Sequence, residues 1–429
     1  MRERARATGG GEESGDKGAG PARRKERLYD RAFVGILGID FLAFVQWFSL
    51  QPVIPLLVLD LGGDAAMAGL AFAVFSIPSI IMRPVFGRLI DRVGATRILL
   101  LGTLGIGLLG LGYLLGSLLV IILVRAVHGV AWAAVMTSAA ALMAHLAPAT
   151  RRGEAAAVFD LMPGTAQMLL PAVGLLLFSA TGPTGTFLFV AAVGLLASLL
   201  VITTSPPDAP RPRRSAHREG AGESLPILEP SAVLPMVIQM LFMSASPLFV
   251  VYPPILATDR GIPLSDLAIY YPVYGILLVG SRLMISRVLD SVSRTLLVAG
   301  SAVGAIIALL FATQADSIMP LLLAGSIFAI GCGVSVPVGT ATVIDRSPPH
   351  RMGSAMGTYT IGFQLASGLG AAIWGVVIEQ GGFTAAFLGA ALVQAVLVVV
   401  AIVYRKGLER PPGIVAHGTA GAATGPPAP

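Results

Sequence analysis

The sequence predicts an all-α membrane protein in which twelve transmembrane helices form two pseudo-symmetric six-helix bundles. Three observations lead to this fold class. First, the 429 residues are 55% hydrophobic and only 12% charged, whereas soluble domains are about a quarter charged. Second, there are twelve apolar stretches, most of which reach the ~20 residues that a helix needs to cross ~30 Å of hydrocarbon. Third, the two halves of the chain repeat each other at a constant spacing.

The predicted spans are assigned as helices because hydrocarbon offers no hydrogen-bond partners to the backbone. A helix satisfies its backbone groups within its own segment, and these stretches lack the polar/apolar alternation of ~10-residue barrel strands. In chain order the twelve spans cover residues 32–58, 66–88, 98–116, 118–146, 154–180, 184–203, 232–257, 266–288, 295–314, 318–343, 353–378 and 384–404.

The basic residues predict the orientation of these spans. Of the 29 lysines and arginines, all but Arg125 and Arg260 fall in the tails, in the loops after even-numbered spans or at the adjoining span ends. Because basic loops remain in the cytoplasm, we expect both termini there, in a multi-pass protein of the cell (inner or plasma) membrane. The basic composition therefore indicates topology, and nucleic acid is not an expected partner.

Composition divides the chain into five regions. Residues 1–31 are rich in Gly, Arg and Glu and are predicted to be a disordered cytoplasmic tail. The N-terminal bundle covers 32–203, a Pro/Arg-rich cytoplasmic linker covers 204–231, and the C-terminal bundle covers 232–404. A second disordered tail is predicted for 405–429.

An internal repeat relates the two bundles. The segment MRPVFGRLIDRV, which begins at Met82, aligns with SRLMISRVLDSV, which begins at Ser281. In this alignment Arg83 corresponds to Arg282, 199 positions later, and the loops PATRRG and PPHRMG correspond at a spacing of 200. Duplicated halves are typical of transporters, in which two bundles move about a central site.

The loop between the second and third spans carries the most specific motif. It reads glycine, three residues, Asp-Arg, one residue, glycine and a trailing basic residue, at Gly87, Asp91, Arg92, Gly94 and Arg97. In this motif the chain resembles the major facilitator superfamily, and the resemblance extends over residues 30–405. The chain departs from that family's pattern after Gly94, where alanine and threonine stand in place of basic residues.

Two further motifs support the resemblance. Arg125, His128 and Gly129 match the fourth-helix pattern Arg-x-x-Gln-Gly, with His in place of Gln. The Gly-rich antiporter signature of the fifth helix, which ends in Gly-Pro, is matched in part by Gly164, Leu170-Pro171 and Gly174. Together they imply a member similar to the drug/proton antiporters (sugar/drug efflux type).

The resemblance implies that the loop motif is a conformational latch. Asp91 would cap the N-terminus of the eleventh helix near Gly353, where unpaired N–H groups favour a carboxylate by ~0.3–1 kcal/mol, or up to ~2 kcal/mol when partly buried. The contact would hold the cytoplasmic side closed and break when that side opens. The positive charges of Arg88 and Arg97 need no role in the latch, because the membrane topology alone explains them.

Four ionisable residues inside spans are candidates for proton coupling: Asp40, Arg125, His128 and Asp160. An ionisable group near the bilayer centre costs ~2.5–3.5 kcal/mol, so it is expected to face a cavity or a partner. We expect Asp40 to carry the proton, because burial favours its neutral form and Arg125, ~10 Å away, favours its charged form.

Alternatives remain open for all four of these residues. Asp40 and Arg125 could form a structural ion pair, and His128 could be a hydrogen-bonded packing residue. Asp160 could instead join the cytoplasmic latch by pairing with Arg92 or Arg97.

The cavity wall formed by the second half is predicted to be mainly apolar and aromatic, which suits an amphiphilic or moderately polar solute. The candidate substrate contacts of the whole cavity are Phe44, Trp47, Trp132, Gln167, Gln239, Tyr271, Tyr274 and Gln364.

These observations predict a secondary active transporter that works by alternating access, with proton-coupled efflux (antiport) of a small organic compound as the first hypothesis. A symporter that imports a small organic solute is the alternative, and a transport-inactive receptor or scaffold is a third. No nucleotide-binding Gly-x-x-x-x-Gly-Lys-Ser/Thr segment is present, so the energy must come from a gradient. We expect no enzyme activity, no metal and no cofactor; the partners are the solute, protons and the bilayer, and the protein is expected to be a monomer.

Overall fold

The computed structural model describes residues 28–208, 228–289, 291–348 and 351–409, and all regular structure within these ranges is helical. Most of both predicted tails and of the linker therefore lies outside the described residues. The helices are α1 (Arg31–Asp60), α2 (Ala65–Val93), α3 (Ala95–Gly112), α4 (Leu118–Leu146), α5 (Arg152–Thr204), α6 (Pro230–Met243), α7 (Ser246–Val250), α8 (Pro253–Arg260), α9 (Leu267–Val288), α10 (Arg294–Ala312), α11 (Ile318–Arg346), α12 (Met352–Val403) and α13 (Arg405–Leu408).

Two of these helices are long enough to cross a membrane twice. α5 and α12 contain 53 and 52 residues and are interrupted by Gly182 and Gly382, whose φ angles are +66° and +75°. Glycine adopts a positive φ without a Cβ clash, and the two kinks are 200 positions apart, like the loops of the repeat. The described residues contain ten helices that are long and apolar enough to span a membrane. With α5 and α12 each crossing twice, the predicted twelve-crossing, all-α fold is confirmed.

The seventh span is broken, although the sequence predicted one stretch over 232–257. α6, α7 and α8 follow each other in this region, and the first break lies at Ser244 and Ala245. The indole of Trp374 donates to the Ser244 carbonyl at 2.6 Å. A carbonyl released by the break is thereby satisfied, as membrane burial requires.

The second break in this span has a specific chemical cause. The two prolines that open α8 have no N–H group for the carbonyls four residues earlier, which belong to Phe249 and Val250. On α9 the hydroxyls of Tyr270 and Tyr271 donate to these carbonyls instead, at 2.8 and 3.3 Å. Two adjacent tyrosines thus replace two missing backbone hydrogen bonds.

The two bundles touch at the face away from the chain ends. We call the face where α1 begins and α13 lies the basic face, and the other one the opposite face. Near the opposite face, a Cβ at Gly69 on α2 would overlap the carbonyl of Ala371 on α12. The Tyr252 hydroxyl donates to the same carbonyl at 2.5 Å. On the other flank of the molecule, Gly275 of α9 lies against Met168 of α5.

Toward the basic face the bundles diverge. Ser76 on α2 and Gly164 on α5 are the contact points nearest the basic face that are found in the described ranges. Between them and the basic face, no hydrogen bond, ion pair or close glycine contact joins the two halves there. The Cβ positions of Gly87 and Gly353 are open. Between the bundles is therefore a cleft that opens at the basic face and is ~18–25 Å deep along α5 and α2.

A carboxylate caps the start of α3, the third span. Thr96 donates its N–H to Asp208 at 2.8 Å and its hydroxyl to the Pro206 carbonyl at 2.6 Å. Gly94 has a φ of +97°, and a Cβ there would overlap the Asp208 carboxylate. The departure from the usual basic residues after Gly94 thus has a structural role, because Thr96 fastens the loop to the segment that follows the sixth span.

The C-terminal half repeats this cap with different residues. Glu409, which follows the twelfth span, accepts the N–H of Thr295 at 3.0 Å and the hydroxyl of Ser293 at 2.6 Å at the start of α10. Partial desolvation acts in the opposite direction, but the hydrogen bonds from Ser293 and Thr295 hold the pKa of Glu409 below its usual value.

Candidate functional site

Asp40 is an ionisable group that is buried inside the N-terminal bundle. It lies ~14 Å along α1 from the helix start, it is fully buried, and neither carboxylate oxygen has a hydrogen-bond partner among the described residues. The ionisable group that acts on it electrostatically is Asp160, not Arg125. The alternative of an Asp40–Arg125 ion pair is therefore not what the structure shows.

Arg125 is held by aromatic rings instead of a carboxylate. Its guanidinium carbon lies 5.4, 4.9 and 4.5 Å from the ring centroids of Trp47, Phe72 and Phe75. Its Nε donates to the Ala71 carbonyl at 3.1 Å. The ring faces carry negative charge density, so they stabilise a desolvated cation.

His128 belongs to a buried hydrogen-bond network. Its Nδ1 lies 2.9 Å from the Tyr113 hydroxyl and its Nε2 lies 3.3 Å from the Gln46 side-chain oxygen. Gln46 in turn donates to the carbonyl of Ile106 at 2.7 Å. Both ring nitrogens are thus engaged, which favours the packing alternative for this residue.

Asp160 faces the C-terminal half across the cleft. The antiparallel contact of α5 and α9 puts Gly164 beside Val279, with the Gly164 Cβ position 3.8 Å from the valine side chain. About one turn closer to the basic face, the same register puts Asp160 opposite Arg282, and the two side chains interact electrostatically. Asp160 makes no ion pair with Arg92 or Arg97 among the described residues, and the cation that acts on it at longer range is Arg282 of the other bundle.

Arg282 is a candidate site residue that the sequence analysis missed. It lies ~9 Å inside α9, yet topology alone accounts for its charge, so the sequence pattern assigns it to the basic loop. Its Nε is buried without a hydrogen-bond partner within the described part of the chain. The signal that could have identified it is the distance to the predicted span end, which exceeds one helical turn.

Three predicted substrate contacts, Phe44, Trp47 and Trp132, lie together in the N-terminal bundle. The rings of Trp47 and Phe75 stack at 4.3 Å, and those of Phe44 and Trp132 meet edge to face at 5.3 Å. Phe44 and Trp47 are half-buried, whereas Trp132 is buried. The structure therefore brings these three predicted contacts into one cluster.

The C-terminal wall is more polar than predicted. Tyr359 on α12, which the sequence analysis missed, donates to the Gln239 side-chain oxygen at 3.1 Å, and the Gln239 side-chain nitrogen has no partner among the described residues. The Gln364 side-chain oxygen is likewise buried without a partner there. Tyr274 is buried near Cys332.

Two other predicted substrate contacts are placed differently. The hydroxyl of Tyr271 is bound to the broken seventh span, at the Val250 carbonyl. Gln167 is half-buried next to Met168, where the two bundles touch.

The residues of the loop motif lie at the open end of the cleft. Asp91 is exposed and has no hydrogen bond or ion pair in the described ranges, and Arg92 and Arg97 are exposed as well. The contact with the start of α12 that the family resemblance implied is thus not made in this conformation.

Comparison with known proteins agrees with this architecture. The model of the Major Facilitator Superfamily matches residues 36–319 and 240–428. An uncharacterised MFS-type transporter of Methanocaldococcus jannaschii is 21% identical over 82% of this chain and 90% of its own length. A probable sulfoacetate transporter, SauU of Cupriavidus necator, is 24% identical over 41% of this chain and 42% of its own length.

A solved structure shows the same fold. A bacterial homologue of the human lysosomal transporter Spinster, in an inward-facing and unoccupied conformation, superposes with a TM-score of 0.73 at 14% identity, over 91% of this chain and all of that one. The family match covers both bundles and the cleft between them, so the chain belongs to the major facilitator superfamily.

Proposed function

We propose that this transporter is proton-coupled and moves a small organic solute by alternating access, with Asp40 as the proton carrier. The observation that carries the proposal is the complete burial of Asp40 without a hydrogen bond to either oxygen. An unpaired charged carboxylate is costly in such a place, so this conformation favours the protonated form. A conformation that admits water to Asp40 would favour proton release.

The cleft corresponds to one of the two conformations, or end states, between which an alternating-access transporter moves. If the basic loops lie in the cytoplasm, the structure is open to the cytoplasm and closed at the opposite face. Closing the cleft would bring the basic end of α2 toward the start of α12, where Asp91 could meet the unpaired N–H groups. Asp91 then acts as a latch for the other end state, and its exposure here fits an open gate.

Efflux by antiport is the first candidate for the direction of transport. It is supported by the partial fifth-helix signature, in which Gly174 packs so closely on α1 that a Cβ would overlap the Ser49 carbonyl. In antiport, solute binding would displace the proton from Asp40.

Symport is the second candidate, and the Asp160–Arg282 pair favours it. A solute group that occupies Arg282 would leave Asp160 without its counter-charge, so the nearby carboxyls would hold a proton more firmly. The similarity to a probable sulfoacetate transporter also fits a small organic anion. Solute and proton would then travel together.

Reconstitution into proteoliposomes with an imposed pH gradient tests the proposal. We expect the gradient to drive solute movement in the wild type and to fail in Asp40→Asn, which cannot carry the proton but still exchanges solute down its own gradient. Asp60→Asn is the matched control, because Asp60 is an exposed acid at the far end of the same helix. Proton coupling that survives in Asp40→Asn would show that Asp40 is not the carrier.

The same vesicles distinguish the two directions. Solute accumulation inside the vesicles that is driven by protons moving out indicates antiport. Accumulation that is driven by protons moving in indicates symport.

A further inference from the structure

We propose that the transported solute carries a carboxylate, sulfonate or similar anionic group, and that this group binds Arg282 in exchange for Asp160. The inference rests on the proposed proton-coupled function and names the solute class for the same cleft. Three properties of this arginine support it: its position, its partners and the charge around it.

Arg282 lies where a solute in the cleft would first meet the closed contact between the bundles. Gly164 on α5 lies beside Val279 on α9, and Arg282 is about one turn below this contact toward the open side. A Cβ at Gly333 would crowd the backbone nitrogen of Arg282, so α11 supports the arginine from behind. The guanidinium therefore projects from a packed wall and not from a loop.

The present partner of Arg282 leaves hydrogen-bonding capacity unused. A guanidinium has five N–H donors and binds carboxylates in a two-pronged geometry. No ion pair of 4 Å or less between Arg282 and a carboxylate is found in the described part of the chain, and its Nε is buried without a partner. Asp160 acts on it only at longer range. A solute anion could thus make closer contacts than Asp160 does.

A buried amide donor adds to this site for an anion. Tyr359 lies near Arg282 and donates its hydroxyl to the Gln239 side-chain oxygen at 3.1 Å. The Gln239 side chain is 1% exposed and its side-chain nitrogen has no partner among the described residues. A buried amide donor without a partner is costly, and a solute oxygen could satisfy it.

The repeat adds a second cation at the equivalent position of the other half. Arg83 on α2 corresponds to Arg282, and its Nε is likewise buried without a partner within the described residues. The residue equivalent to Asp160 at a spacing of 200 is Thr360, so the repeat provides no carboxylate opposite Arg83. The repeat thus provides two related arginines and one aspartate at these positions, which is an excess of positive charge for a solute anion.

Binding of purified protein to defined probes tests the assignment. We expect sulfoacetate or succinate to raise the melting temperature in detergent, whereas choline at the same concentration does not. Arg282→Gln should weaken anion binding by about tenfold or more, since it removes charge-assisted hydrogen bonds, and Arg282→Lys should recover part of the loss. Asp160→Asn should strengthen binding, because it removes the competing carboxylate.

The matched control is Arg287→Gln. Arg287 is an exposed arginine on the same helix, more than one turn nearer the basic face, so anion binding should be unchanged. The melting temperature of Arg282→Gln without ligand shows whether the variant is folded. If it is not, Asp160→Asn still decides the question, since unchanged or weaker binding contradicts the exchange.

The inference is overturned if choline but neither anion stabilises the wild type, or if folded Arg282→Gln binds the anions as the wild type does. Its failure is distinguishable from failure of the proposed function. Loss of proton coupling in Asp40→Asn together with full anion binding in Arg282→Gln would support the carrier and reject the anion site. Anion binding at Arg282 without any effect of a pH gradient would support the anion site and reject proton coupling.

Discussion

At the scale of single residues, the environment of Arg125 shows how a bundle holds a buried cation without a carboxylate. Three aromatic rings surround the guanidinium, and the nearest, Phe75, lies 4.5 Å away. A desolvated cation–π contact is worth ~2 kcal/mol. Several such contacts offset part of the burial cost, and within the described part of the chain no cation pairs with Asp40.

A double-mutant cycle measures this contribution. We expect Phe75→Leu and Arg125→Met each to lower the free energy of unfolding, and the double variant to lose less than the sum of the two. The coupling should be ~1–2 kcal/mol, because leucine keeps apolar volume but has no ring face. Unfolding free energies in mixed micelles check the value, and strict additivity would contradict the aromatic cage.

Residue spacing predicted a gap of ~10 Å between Asp40 and Arg125 along the helix axes, but it did not predict their partners. Trp47, two turns from Asp40 on the same face of α1, fills that gap, and its ring receives Arg125. Helical periodicity gives position along and around one helix, whereas the choice between a carboxylate and a ring depends on how neighbouring helices pack.

At the scale of secondary-structure elements, the broken seventh span leads to a test of compensation. Tyr270→Phe should destabilise the protein by about 1 kcal/mol, because the Phe249 carbonyl loses its donor. Adding Pro253→Ala restores an N–H four residues after that carbonyl and should recover part of the loss. Tyr274→Phe is the control, since Tyr274 lies one turn from Tyr270 on α9. Equal destabilisation with and without the proline would refute the proposed substitution of donors.

The cap of α10 leads to a pH prediction. The folded-state pKa of Glu409 is lowered by its hydrogen bonds, so its contribution is present above the unfolded pKa of ~4.3. The contribution disappears as the pH falls through the folded-state value. Glu409→Gln should therefore lower the melting temperature at pH 7, and the difference from wild type should shrink below about pH 4. A difference that does not depend on pH would show that the charge of Glu409 is not what stabilises α10.

Hydropathy predicted the number of elements well, because membrane thickness fixes the length of a span. It did not predict the break in the seventh span, since the apolar composition continues through it. Pro253 and Pro254 were the available signal, yet only the structure shows that tyrosines on α9 satisfy the freed carbonyls. Likewise, the cap of α3 by Asp208 depends on a contact across more than a hundred residues.

At the scale of the whole molecule, the repeat predicted two related bundles but not which face is closed. Both end states have the same sequence, and their populations depend on a free-energy difference of a few kcal/mol. Glycines at the two ends of the α2–α12 interface contribute to that difference with opposite sign. Gly69 is in tight contact here and Gly87 is not.

Substitution of these glycines should shift the conformational equilibrium in opposite directions. In Gly69→Ala the new methyl group meets the Ala371 carbonyl, so the conformation that is open at the basic face should lose about tenfold or more in population. In Gly87→Ala the methyl group is accommodated in the conformation that is open at the basic face. It costs free energy only when α2 approaches α12 at that face, so the open conformation should gain in population. Gly300→Ala, whose Cβ position is open on α10 away from the interface between the bundles, should change neither population.

The chain has one cysteine, so Cys332→Ser gives a clean background for spin labels at Arg88→Cys and Ser354→Cys. Electron–electron distances across the cleft should then lengthen for Gly87→Ala and shorten for Gly69→Ala. A shift of both variants in the same direction would mean that these two glycine contacts do not set the balance between the two states.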